Sequence, residues 1–158
     1  MKLPLDLLEQ HRELREHSHR FILVPRLWRH YAYRGRLRWR TVPLKASRAS
    51  RLPTTHGVYA LIVRSGIASR LAASYLMYVG KSNSIQRRFR EYLRESKSSL
   101  ARPKLAMLLR LYANHLHFRY ALVAPPHRDA AETALIAALL PPANDQLPAV
   151  IRAARAAF

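Results

Sequence analysis

The sequence predicts an α+β fold in which helices flank a small sheet. Two β-rich runs, Gly57–Arg64 and residues 75–80, are separated by residues 65–74, whose Gly66 and small side chains suit a long hairpin loop. Helical patterns and one further extended run follow. The predicted helices are residues 84–95, 101–114 and 129–140, and the third predicted strand is residues 117–123.

Length and composition favour one main domain with an extension. A chain of 158 residues with 49% hydrophobic content can bury one sizeable core. We expect a basic, aromatic-rich extension or DNA-binding arm over residues 1–54, and a main domain over residues 55–158. Residues 46–55, which are rich in Ser, Arg, Thr and Pro, are the predicted linker between them.

Several classes of protein are disfavoured by composition. The absence of cysteine excludes disulfides, thiolate metal sites and a cysteine nucleophile. The chain has only four glycines and no glycine-rich phosphate loop, so no nucleotide cofactor is expected. Its apolar runs are far shorter than the roughly 18 residues of a membrane span, and its first residues lack the pattern of a signal peptide. We therefore expect no membrane partner and a cytoplasmic, intracellular location, on the nucleoid when bound to DNA.

The net charge of +19 is concentrated in one part of the chain. Residues 17–90 contain sixteen Lys and Arg and no acid, whereas residues 1–16 have a net charge of −1. A cationic stretch of this density predicts binding to a polyanion through phosphate neutralisation and counterion release. A ribosomal or packaging protein and a nuclease all fit this charge.

Within the extension, residues 4–20 suit a short amphipathic helix, and residues 34–42 have the two-residue period of a strand with one basic face. The basic face and its aromatic neighbour comprise Arg34, Arg36, Arg38, Arg40 and Trp39. This segment is either an edge strand that packs its aromatics on the core or an arm that contacts DNA phosphates and bases. The absence of acids favours the arm.

Five short signals follow one another along the main domain: Gly57-Val58-Tyr59, Tyr78-Val79-Gly80, Arg88, Glu132 and Asn144. In this order they resemble the GIY-YIG endonuclease family over residues 55–147. The resemblance implies a three-stranded antiparallel sheet flanked by helices, endonuclease activity on DNA, and one metal-binding Glu. It also implies a single Mg²⁺ or Mn²⁺ ion per site. The eighteen residues between the two tripeptides exceed the separation in the commonest members, and the hairpin loop accounts for the excess.

The tyrosines and one arginine are placed by simple geometry. If the first two strands pair as a hairpin, the rings of Tyr59 and Tyr78 can face one side of the sheet. At about 100° per residue, Arg88 and Tyr92 flank the apolar stripe of the first main-domain helix, whereas Arg87 points away from it. By resemblance, a tyrosine helps to activate water, and Arg88, eight residues after Gly80, stabilises the charge on the phosphate. We expect Lys81, Arg87 and Arg90 to contact phosphates.

Glu132 has two possible explanations. Asp129 at an N-cap and Glu132 three residues later would form a capping arrangement with no chemistry. Alternatively, Glu132 shares the apolar face of its helix with Leu135 and Ile136, where a buried carboxylate needs a cation. By resemblance Glu132 is the metal ligand, and Asn144 helps to hold the site together.

The sequence therefore predicts a metal-dependent DNA endonuclease. A restriction-like or mobile-element nuclease fits, as does a structure-selective or single-strand nuclease of repair or recombination. The alternative from another class is a non-catalytic nucleic-acid-binding protein that kept the fold, with RNA as a further substrate or partner.

Overall fold

The computed structural model describes residues 4–67, 73–95 and 102–157, and in these ranges it has four strands and six α-helices. In chain order the elements are α1 (Pro4–Glu16), α2 (Pro25–Arg29), β1 (Arg40–Pro43), β2 (Gly57–Arg64), β3 (Ser74–Ser82), α3 (Ile85–Glu95), α4 (Pro103–Leu111), β4 (Leu116–Leu122), α5 (Pro125–Leu139) and α6 (Ala149–Ala157). A short 3-10 helix, Ala46–Arg51, lies between β1 and β2. No helix in these ranges is both long and apolar enough to span a bilayer.

The sheet is antiparallel throughout, with the strand order β1-β4-β2-β3. The α+β class is confirmed, but the sheet has four strands where three were predicted. The additional strand, β1, comes from the predicted extension and pairs with β4, with Val42 opposite Phe118. The predicted strand at residues 34–42 was mostly wrong, because β1 is only Arg40–Pro43, and its partner lies more than seventy residues away along the chain. The sheet therefore includes strands from both sides of the predicted domain boundary.

Each face of the sheet is covered by helices, so the protein has two layers of core. On one face, Tyr59, Leu61 and Phe118 pack against α3 and α4. On the other, Val58 and Ala60 pack against α5. Because both faces are covered, β2 is buried from Gly57 to Ile62 and is apolar without alternation, as expected of a strand enclosed on both sides.

The extension packs against the main domain. Leu44 and Leu52 are buried in the α3–α4 core, and Leu52 accepts a 3.1 Å hydrogen bond on its carbonyl from Gln86 Nε2. The predicted linker at residues 46–55 contains the 3-10 helix and is packed on this core. Along residues 33–39, Tyr33, Leu37 and Trp39 are partly buried against the α5 face. The arginines between them are exposed, as the basic-face pattern predicted.

The bounds of α5 test one of the two explanations of Glu132, the capping arrangement. This helix begins at Pro125. Ala124 is at the N-cap position, and no side chain caps the helix. Asp129 therefore lies inside the helix, and the capping interpretation was wrong. Proline at the first helical position supplies the start signal, because its fixed φ suits the first turn. The helix ends at Leu140, which adopts a left-handed conformation with φ 47°.

Candidate active site

The two motif tyrosines lie on the same face of the sheet. Tyr59 pairs with Gly80, and Leu61 pairs with Tyr78, so both rings point toward the α3–α4 side, with centroids 6.2 Å apart. This prediction is confirmed. Gly80 is required by the packing, because an added Cβ would overlap the hydroxyl of Tyr59.

Tyr59 is almost completely enclosed, with 2% of its surface exposed. Its ring stacks on Phe118 at 5.1 Å, and its hydroxyl lies 2.7 Å from the Tyr92 hydroxyl. Burial raises the pKa of Tyr59 well above its ordinary value, and burial likewise raises the pKa of Tyr92. Both phenols therefore stay neutral at physiological pH, and their hydroxyls satisfy each other instead of meeting solvent.

Tyr59→Phe should destabilise the protein because it leaves the buried Tyr92 hydroxyl without a partner. An unsatisfied buried hydroxyl costs about 1–3 kcal/mol, and Tyr92→Phe should cost a similar amount. The double variant should unfold close to the wild type, since neither polar group then remains. Urea unfolding of the four proteins measures this coupling. Strictly additive losses in the double variant would show that the two hydroxyls do not depend on each other.

Arg88 and Tyr92 on α3 differ from the prediction in one respect, the burial of Tyr92. Tyr92 is fully buried, whereas a position at the edge of the core was expected. The reason is that the buried stripe centres on Ile85, which lies about 20° from Tyr92 around the helix. The side chain of Arg88 is 25% exposed and that of Arg87 is 60% exposed, which confirms the predicted difference between them. Arg88 Nη1 bonds Glu91 Oε2 at 2.7 Å.

A pocket of about 320 Å³ opens beside β3 and collects residues that are far apart in the sequence. Tyr78, Lys81, Glu132 and Asn144 line it. The Glu132 side chain is 17% exposed, and its Oε2 lies 3.0 Å from Lys81 Nζ. Lys81 also contacts Asp129, which is 67% exposed, at 3.3 Å. Of the two motif tyrosines, only Tyr78 lines this pocket. Tyr78 is therefore the tyrosine that we expect to activate water.

Asn144 lines this pocket and bonds the backbone of β3. Its Oδ1 accepts from the Val79 N–H at 2.9 Å, and its Nδ2 donates to the Val79 carbonyl at 2.8 Å. Because β3 is an edge strand, these backbone groups have no strand partner on that side, and the amide supplies one donor and one acceptor. Asn144 is thus a positioning residue, and the left-handed turn at Leu140 returns the chain to this edge.

The donor set around Glu132 suits one hydrated divalent cation. Across the described ranges there is no group of three or more His, Asp or Glu that could form a complete metal cage. Mg²⁺ is commonly held by one or two carboxylates, with water and substrate phosphate completing its octahedron. Glu132 would hold such an ion, with Asp129 nearby on α5. Lys81 neutralises the same carboxylate, and its hydrogen bond with Glu132 raises the pKa of Lys81.

The predicted nucleic-acid contacts occupy several surfaces. Arg87 and Arg90 are exposed and border a groove between α3 and the 3-10 helix. In the extension, Arg34, Arg36 and Arg38 are exposed, as is Arg40 in β1. Trp39 is partly buried, and the Arg119 guanidinium lies 5.6 Å from its ring centroid. In this conformation the Trp39 ring therefore packs against the sheet.

One pocket residue, Arg102, was missed by the sequence analysis. It lines the pocket immediately before α4, and its guanidinium carbon lies 5.5 Å from the centroid of the Tyr92 ring. Its Nη2 donates a hydrogen bond to Glu95 Oε1. No local pattern distinguishes this arginine, since its position depends on how α4 returns against α3.

Comparison with known proteins gives no match to any family model, curated protein or solved structure.

Proposed function

We propose that this chain is a metal-dependent DNA endonuclease of the GIY-YIG type. The observation that carries the proposal is the pocket, which joins Tyr78 and Lys81 on β3 to Glu132 on α5 and to Asn144 beyond it. Tyr78, Glu132 and Asn144 belong to the motif order, Lys81 was expected to contact phosphate, and the four residues come from three separate parts of the chain.

Hydrolysis of a phosphodiester needs a water nucleophile, a proton acceptor, and cations around the phosphate. Tyr78 is the motif tyrosine on the pocket wall, and in this proposal its hydroxyl orients the attacking water, accepts a proton from it and releases its own proton to solvent. Lys81, which pairs with Glu132, adds positive charge to the same wall of the pocket. A divalent ion on Glu132 would stabilise the charge that develops on the phosphate and on the leaving oxygen.

Arg88 has a narrower role than the sequence suggested. Its side chain does not line the pocket, and it lies near the buried tyrosines, where its charge opposes the effect of burial on the pKa of Tyr59. In this proposal it supports the tyrosine pair instead of contacting the phosphate.

DNA is the proposed partner because the +19 charge matches a phosphate backbone and the exposed arginines extend beyond the pocket. The proposed location is the cytoplasm, on the nucleoid. No nucleotide cofactor is proposed.

One observation favours the alternative of a non-catalytic nucleic-acid-binding protein. Lys81 already neutralises Glu132, so the carboxylate is stable without a metal.

A panel of labelled duplex, single-stranded and branched oligonucleotides separates these possibilities. We expect cleavage that needs Mg²⁺ or Mn²⁺ and stops with chelator. The DNA form that is cut fastest distinguishes a restriction-like nuclease from a single-strand or structure-selective one. Tight binding of every form without cleavage in either metal would favour the non-catalytic alternative.

Replacing Arg34, Arg36 and Arg38 by Gln should weaken DNA binding without unfolding the protein, because these side chains are exposed. If each contacts one phosphate of duplex DNA, the slope of log affinity against log salt should fall by about 3 units. Substitution is preferable to truncation here, since removing the extension would also remove β1 and Leu44.

The matched control for this triple variant replaces three exposed arginines outside the acid-free stretch: Arg12, Arg15 and Arg110. Its slope should change little. Equal slopes for the wild type and the Arg34, Arg36 and Arg38 variant would mean that this segment covers the sheet without touching DNA phosphates.

A further inference from the structure

We propose that Arg102 binds the scissile phosphate in the Tyr78–Glu132 pocket, the role that motif order assigns to Arg88. This inference rests on the proposed function, because it names the cation that acts on the substrate of that site. It also assigns different roles to Arg102, which lines the pocket, and Arg88, which does not.

The positions of the two guanidinium groups carry the inference. Arg102 lines the pocket together with Tyr78, Lys81 and Glu132, and Arg88 does not. Arg88 is joined to Glu91 on its own helix, and its Nε is buried without a hydrogen-bond partner among the described residues. In this arrangement the Arg88 guanidinium is bound to Glu91 and not to the pocket.

Arg102 is held in place by two contacts. The Tyr92 ring supports one side of the guanidinium at 5.5 Å, within the range of a cation–π interaction. Glu95 accepts one hydrogen bond from Nη2. A guanidinium has five N–H donors in a planar fork, so donors remain that can grip a phosphate in a bidentate manner.

Glu95 supports this assignment from the other side of the ion pair. Its Oε1 bonds Arg102, while its Oε2 is buried with no partner within the described part of the chain. A buried carboxylate oxygen without a hydrogen-bond partner lowers the stability of the fold. The position makes sense if Glu95 serves to orient Arg102.

The surrounding charges leave room for an anion. The two lysines on the pocket wall are both paired with carboxylates: Lys81 with Glu132 and Asp129, and Lys104 with Asp145 at 2.6 Å. The partner of Arg102, Glu95, does not line the pocket. Arg102 therefore lines the same cavity as Glu132, the proposed metal ligand, and a phosphate bound between a metal ion and a guanidinium would be stabilised by both.

The test compares single-turnover cleavage by Arg102→Ala, Arg102→Lys and Arg88→Gln at saturating protein. We expect Arg102→Ala to lose about 10²-fold or more in rate, in line with the removal of a preorganised donor at a developing anion. Arg102→Lys should recover only part of this loss, because a lysine lacks the planar fork. Arg88→Gln should keep a larger share of the rate than Arg102→Ala. Arg110→Ala, an exposed change on α4, is the control and should cleave normally.

Chemical rescue distinguishes phosphate binding from a structural role. Added guanidinium ion at low concentration should raise the rate of Arg102→Ala and leave Arg88→Gln unchanged. If Arg102→Ala does not fold, as judged by its circular dichroism, the rate of Arg102→Lys decides the question. A rate for the folded Arg102 variant within about threefold of the wild type would overturn the inference, and so would a greater loss from Arg88→Gln. Inactive wild-type protein would instead contradict the proposed function itself.

Discussion

Glu132→Gln should reduce metal-dependent cleavage by about 10³-fold or more while DNA binding survives. The substitution keeps the size of the side chain and removes the negative charge that would hold the cation. Loss of about 4 kcal/mol of charge stabilisation corresponds to a factor of about 10³ in rate. Binding should persist because the exposed arginines are untouched and Lys81 loses a competing carboxylate. Single-turnover rates and equilibrium binding on the same DNA measure both effects.

Asp129→Asn is the matched control for this prediction. Asp129 lies on the same helix, contacts the same lysine and is much more exposed, so its loss should change the rate only a few-fold. Neither variant removes a helix cap, because α5 begins at Pro125. Normal cleavage by a folded Glu132→Gln protein would remove Glu132 from the chemistry and leave it as the partner of Lys81.

Tyr78→Phe should lower the cleavage rate by about 10²-fold or more, the usual contribution of a group that transfers a proton. The ring and its packing near Tyr59 are retained on the pocket wall, so only the hydroxyl is lost. Substrate affinity should stay close to that of the wild type. Rates at saturating protein, with affinities from the same titration, separate the two quantities.

Two controls define this result. Tyr75→Phe changes an exposed hydroxyl on the same strand and should cleave normally. Tyr59→Phe should lose stability but keep more of its rate than Tyr78→Phe, because the Tyr59 hydroxyl is turned toward Tyr92. Faster cleavage by Tyr78→Phe than by Tyr59→Phe would reverse the assignment of the two tyrosines.

Elements with strong local patterns were predicted well from the sequence. The strand β2 has the predicted bounds, Gly57–Arg64, and α3 begins after Ser84, whose Oγ accepts a hydrogen bond from the Arg87 N–H at 3.2 Å. The inward position of Glu132 followed from helical periodicity, since Leu135 and Ile136 on the same face are buried.

Features that depend on distant parts of the chain were not predicted. The pairing of β1 with β4 joins segments more than seventy residues apart, and the contact of Arg102 with Tyr92 depends on how the chain returns after α3; neither leaves a periodic signal. The end helix α6 was not anticipated, because its short alanine-rich segment follows a proline-containing turn. Tyr59 was placed on the correct face, yet its isolation from the pocket depended on Tyr92 and Phe118.

Covalently closed circular DNA gives the most direct test of the central proposal, since only an endonuclease can open a molecule that has no ends. Wild-type protein and the double variant Tyr78→Phe, Glu132→Gln are purified in parallel and incubated with single-stranded and duplex circles in Mg²⁺. Wild-type protein should open at least one kind of circle, chelator should prevent it, and the double variant should leave both closed. Circles that stay closed with wild-type protein in Mg²⁺ and in Mn²⁺, or that open equally with both proteins, would contradict a nuclease centred on Tyr78 and Glu132.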